Sequence, residues 1–158
     1  MEKGRLAVVR VKGDFGNSAD IKMTLKLLRL YKKNYCVVLP TNPQIIGMVQ
    51  KIKDLVTFGE VSKEMMMKLL KARGRVAGNK PLTEDYLKSK TNATFENFAD
   101  ELLAYKKELR DVPGLKQFFR LHPPVGGFEV RGIKQSYAQG GALGYRGKDI
   151  NKLIGRMV

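Results

Sequence analysis

The sequence predicts an α+β protein: a small β-α-β-α-β core over residues 1–59, then a helical and glycine-rich C-terminal extension over residues 60–158. Three observations predict it. Short β-branched runs alternate with helical patterns up to Gly59, which lets helices cover one face of a small sheet. Beyond that point capped helices take over. Finally, half of the sixteen glycines lie between Gly126 and Gly155, which marks irregular chain.

Each element has its own signal. Residues 5–11 form a β-branched run that stops at the turn cluster Gly13-Asp14-Phe15-Gly16. Ser18 caps a helix to about Lys33, with Asp20 in the first turn, where the helix dipole favours an anion. Residues 35–39 read as a second strand. Asn42 followed by Pro43 is a cap with a first-turn proline, so a second helix covers residues 43–53. Residues 55–58 make a third strand that Gly59 ends. Ser62 then caps a helix to about Ala72, and residues 83–89 hold about two turns. Thr94 opens a helix in which Phe95, Phe98, Leu102, Tyr105 and Leu109 recur at helical spacing, ended by residues 111–114. Residues 115–121 are apolar and extended, and the pairs Pro123-Pro124 and Gly126-Gly127 exclude regular structure after them. A last helix covers residues 148–157, with Ile150, Leu153 and Ile154 on one face. There are no internal repeats.

Charge says most about function. Thirty Lys and Arg against fifteen Asp and Glu give a formal +15 and a pI near 10.0. A small domain this basic repels itself and works beside a polyanion, with nucleic acid preferred over membrane lipid or an acidic protein. The charge is also uneven: net +7 over residues 1–59, +2 over 60–114 and +6 over 115–158. Two basic ends around a balanced middle suggest two RNA-facing surfaces and one facing solvent or protein. Hydrophobic content of 43% argues against wholesale disorder. No apolar run reaches membrane-spanning length, and the single cysteine fits a reducing compartment, so the chain is expected to be soluble and cytoplasmic.

Three stretches are candidates for RNA contact. Lys22, Lys26, Arg29 and Lys33 fall on one narrow face of the first predicted helix. A solvated face normally mixes signs to gain pairs one turn apart, whereas these four are all positive, which a phosphate track would favour. The second is the start of the next helix, where Asn42 and unpaired amides suit a phosphate. Gly47 within that helix costs about 0.5–1 kcal/mol relative to alanine, so either a ligand or a packed neighbour needs close backbone approach there. Lys51 adds a cation at the far end. The third lies near the C-terminus, where Arg120, Arg131, Lys134, Arg146 and Lys148 alternate with glycines and with Tyr137 and Tyr145. Flexible turns, cations and stacking rings suit irregular RNA surfaces, although a mobile tail is the plainer alternative. Residues 126–146 are expected to be mobile until RNA orders them.

Catalytic readings are weak. His122 is the only histidine, and with Cys36 it cannot make a standard zinc site. Cys36 reads as a buried strand thiol. The glycine-rich segment lacks the order of a phosphate-binding loop, and the pairs Glu84-Asp85 and Asp100-Glu101 have no evident partner acid or base. Neither a cofactor, a metal nor a small-molecule substrate is expected. The residues that remain carry a resemblance. The basic first strand, the Leu-rich basic helix, Thr41-Asn42-Pro43 and Gly47-Met48 resemble the L-thirty family of large-subunit ribosomal proteins. Residues 121–127, Gly140-Gly141 with Gly144, and residues 149–154 resemble its long archaeal form, related to the eukaryotic L-seven proteins. The resemblance covers essentially the whole chain. It implies a non-catalytic, ribosome-bound protein on large-subunit rRNA near the 5S rRNA, beside other ribosomal proteins, with a ferredoxin-like core whose first strand is central. Two departures stand out: Ile46 where the family often has arginine, and Val125 where a basic residue is common. Phosphate contacts at those two places are not carried over. The alternative is a basic RNA-binding protein of rRNA processing or ribosome assembly outside the mature subunit.

Overall fold

In the computed structural model, which describes residues 4–158, the first strand organises everything else. This strand, β1 (Leu6–Arg10), is buried along its whole length and has a neighbour on each side. β2 (Tyr35–Leu39) and β3 (Val56–Glu60) both pair with it antiparallel, setting Val8 opposite Val37 and Phe58. Between the strands run α1 (Ala19–Leu27) and α2 (Pro43–Lys51). Side chains alternate across a strand, so Val8, Val37 and Phe58 share one face, where they pack with Leu25, Leu28, Val49 and Ile52. This is the ferredoxin-like β-α-β-α-β unit.

The other face of the sheet, with Ala7, Val9, Cys36 and Val38, is covered by the extension. Its helices are α3 (Lys63–Arg73), α4 (Glu84–Thr91), α5 (Phe95–Leu103) and α6 (Ile150–Met157). Phe98, Leu102, Ile150 and Leu153 lie in this second core. The extension also supplies both sheet edges. β4 (Phe119–Arg120) pairs antiparallel with β2, and β5 (Gly144–Tyr145) pairs parallel with β3, giving the order β4-β2-β1-β3-β5. A boundary at residue 59 therefore falls within β3, and both parts of the chain build one sheet. Burial pushes the Cys36 thiol up to about 12, so it stays an unreactive core group.

Two helices are shorter than their periodicity predicts, and a buried arginine ends each. The first stops at Leu27 instead of running to Lys33. Arg29 turns into the left-handed region at φ 61, and Leu30 drops into the core. There Arg10, 1% exposed, takes the carbonyls of Leu30 and Tyr31 at 2.8 and 3.0 Å and reaches Asp14 at 2.5 Å. In the same way α5 stops at Leu103, and Tyr105 has φ 59. Arg5 donates to the carbonyls of Leu102 at 2.5 Å and Lys107 at 2.8 Å. Leu109 is still buried, but in a short 3-10 turn.

Gly59 does not end its strand. It sits inside β3 opposite Ala7, and a Cβ there would lie 2.0 Å from the carbonyl oxygen of Gly147. The glycine is needed so that the turn before α6 can lie against the sheet. Residues 126–146 are likewise more regular than expected. They contain two 3-10 turns, Gly132–Lys134 and Tyr137–Gln139, and bury Ala142 and Leu143 against Val11.

Candidate nucleic-acid interface

The cationic surface begins on α1. Leu25 and Leu28 face the sheet, so Lys22 and Lys26, one turn apart, face outward. Arg29 and Lys33 do not continue a helical ridge, because α1 has ended. They are exposed on the turn that leads into β2, together with Lys32. Arg120 joins them across the sheet edge, since β4 pairs Arg120 with Tyr35. Its guanidinium lies 5.9 Å from the ring centres of both Tyr35 and Phe118. Phe118 stacks on Tyr35 with centroids 5.2 Å apart and meets Tyr31 edge-on at 5.7 Å. Cations and rings from two distant segments thus share one surface. Sequence reasoning did not single out Lys32, Tyr31 and Phe118; Phe118 reaches this surface through a two-residue strand too short to leave a pattern.

Asn42 begins α2 and is exposed, and its side chain makes no capping hydrogen bond. Gly47 is also exposed, and outside its own helix no heavy atom lies within 4 Å of where a Cβ would stand. Intramolecular packing therefore does not account for this glycine. Lys51 is exposed but pairs with Asp20 of α1 at 2.5 Å, a surface bridge worth about 0–1 kcal/mol.

Near the C-terminus, Arg131, Lys134 and Lys148 are exposed, and Tyr145 is half-exposed. Tyr145 donates its hydroxyl to Glu60 at 2.5 Å. Arg146 corrects the sequence reading: it is an internal residue, 5% exposed, and not part of the surface. Its guanidinium holds both carboxylate oxygens of Glu129 at 2.6 and 3.2 Å, the Thr57 hydroxyl at 2.7 Å and the Ala142 carbonyl at 2.9 Å. It also lies 4.6 Å from the ring centre of Tyr137. One signal could have shown this. Residues 115–158 hold only two carboxylates, Glu129 and Asp149, and a scarce anion among eight cations marks a specific pair.

Net charge, more than ion pairing, separates the surfaces. Within residues 60–114, Lys63 pairs with Asp100, Lys88 with Glu84, Lys107 with Glu101 and Arg110 with Glu108, at 2.7–3.2 Å. Among the described residues, Lys68, Lys71, Lys80, Lys90 and Lys106 of that segment lack a carboxylate within 4.0 Å, but it carries only +2 against +7 and +6 at the two ends. At those ends, again among the described residues, Lys22, Lys26, Arg29, Lys33, Lys134 and Lys148 have no carboxylate within 4.0 Å. Their repulsion is unrelieved from within the chain, and an arrangement of this kind attracts a polyanion.

A ferredoxin-like sheet bearing unpaired cations beside exposed rings is the build of an RNA-binding α+β protein. Comparison with known proteins is more specific. The family model described as "Ribosomal protein L30p/L7e" matches residues 6–56. The large ribosomal subunit protein uL30 of Methanopyrus kandleri is 47% identical over 149 residues, covering 94% of this chain and 100% of that one. The uL30 proteins of Methanocorpusculum labreanum and Nanoarchaeum equitans are 47% and 45% identical over 152 residues, each covering 96% of this chain and 98% and 97% of their own. The chain belongs to the L30p/L7e family of ribosomal proteins, in its long archaeal form.

Proposed function

We propose that this protein is a structural, non-catalytic constituent of the large ribosomal subunit, bound to rRNA close to the 5S rRNA and to neighbouring subunit proteins in the cytoplasm. The observation that carries this reading is the one-signed cationic surface on a chain of this family. Lys22, Lys26, Arg29, Lys33 and Arg120 form one contact, Asn42 and Gly47 a second, and Arg131, Lys134, Tyr145 and Lys148 a third. Lys51, already bridged to Asp20, contributes least. Among the described residues no helix is long and apolar enough to cross a membrane.

Two measurements test it together. The full-length protein is expected at one copy per large subunit after a moderate salt wash. The purified protein is expected to bind large-subunit rRNA fragments with log K falling against log salt by roughly 0.7–0.9 per phosphate contact. A salt-independent affinity contradicts phosphate binding. Recovery only with precursor particles, and not with mature subunits, points instead to an assembly factor.

A further inference from the structure

Three lysines that are far apart in the chain meet at the end of the sheet beside β5. Lys12 follows β1, Lys53 lies in the turn between α2 and β3, and Lys134 belongs to the glycine-rich segment. They border a depression of about 530 Å³ whose lining also includes buried Leu143 and half-exposed Tyr145. One carboxylate, Asp54, stands at the rim. The Tyr145 ring is held in place: its hydroxyl is bonded to Glu60 at 2.5 Å, and its ring centre lies 5.7 Å from that of Phe58. Gly144 has φ 82 and open space where a Cβ would be, so the backbone beside the ring is accessible.

We propose that this depression seats one unstacked nucleotide of a single-stranded rRNA segment. In this arrangement the base lies against Tyr145 and Leu143, and Lys12, Lys53 and Lys134 take the flanking phosphates. The volume falls within the range of small-molecule sites, about 300–1,000 Å³. A free phosphate would use the cations but leave the fixed ring unexplained. A duplex would meet the lysines but has no base to place inside. Unstacked single-stranded RNA uses both, since base-on-ring stacking and phosphate pairing are its usual means of recognition. The proposal rests on the rRNA reading above and adds two residues, Lys12 and Lys53, that sequence reasoning did not single out.

The test measures binding of a short fluorescent oligouridylate to the full-length protein, with inorganic polyphosphate as an anion that has no bases. Tyr145→Ala is expected to weaken oligouridylate binding roughly five- to a hundredfold and to leave polyphosphate binding unchanged. Tyr145→Phe keeps the ring and retains affinity. Lys12→Ala and Lys53→Ala weaken both ligands. Tyr145→Leu keeps an apolar side chain against Phe58 without a stacking face, and it stands in for the alanine variant if that one unfolds. Unchanged oligouridylate binding by a folded Ala or Leu variant overturns the nucleotide seat while rRNA-fragment binding still supports the wider function. Loss of rRNA-fragment binding by the wild-type protein as well would remove both.

Discussion

Reversing charge at Lys22, Lys26 and Arg29 together is expected to exclude the protein from large subunits while leaving it folded. All three side chains are exposed, and none has a carboxylate partner to lose. Surface changes of this kind alter stability by within about 0.5 kcal/mol each. Arg29 has a positive φ, but glutamate there carries the same backbone strain as arginine. The formal charge falls from +15 to +9, because each of three cations becomes an anion. Losing three phosphate contacts lowers the salt slope by roughly 2–3 and replaces attraction with repulsion. In competition with wild type for reconstituted subunits, incorporation is expected to drop at least about tenfold. The control is Lys68, Lys90 and Lys106 changed to glutamate, an equal charge change on the exposed middle segment, which should incorporate normally. Normal incorporation of the first variant would show that the α1 surface is merely solvated.

The second large effect is on stability. Arg146→Met is expected to destabilise the protein by about 3–5 kcal/mol, the usual loss when one partner of a buried ion pair is removed. Glu129 would keep only Arg156, at 3.8 Å, as a cationic partner. The Thr57 hydroxyl and the Ala142 carbonyl would also lose a donor. At roughly 2–4 °C per kcal/mol for a chain of this size, Tm falls by about 10 °C. Adding Glu129→Gln should recover much of that loss, because no unpaired charge then remains. Amide exchange gives the location: residues 126–146 are expected to be protected in the free wild-type protein and to exchange first in Arg146→Met. An unchanged Tm would show that the clasp contributes nothing.

The same clasp sets a pH dependence. Burial pushes the Glu129 carboxyl up, but its bond to Arg146, its own backbone amide and the charges of Arg146 and Arg156 together hold it below its ordinary value. A depressed carboxylate stabilises the fold above the unfolded value, about 4.3, and that contribution is lost as pH falls through the lower folded value. Acid should therefore loosen residues 126–146 only below about pH 4.3, as pH falls toward the lower folded value, and Arg146→Met should lack that transition.

Much of the fold was legible because helix starts are local. Ser18, Ser62, Thr83 and Thr94 each accept a hydrogen bond from the amide three residues on, as their residue types promised. Helix ends were not legible where they are long-range. Nothing near Arg29 or Tyr105 announces a stop, since the carbonyls are taken by Arg10 of the first strand and by Arg5 just before it. The sheet edges were hidden for a related reason: β4 and β5 are two residues each and depend on their partners. The site divides along the same line. Lys22, Lys26, Lys134 and Lys148 stand where their pattern put them, on the surface. Arg146 looked the same in sequence and turned inward, because Glu129, Thr57 and Ala142 gave its guanidinium more than solvent could.

The central claim is that the unpaired cations of α1 and of residues 131–148 face rRNA. A cryo-EM structure of the large subunit containing this protein tests that most directly. The expected result places phosphate oxygens at ion-pair distance from Lys22 and Lys26, and from Lys134 or Lys148, with α4 and α5 turned to solvent or protein. A subunit in which Lys22, Lys26, Lys134 and Lys148 point into solvent, while α5 lies on RNA, would contradict it.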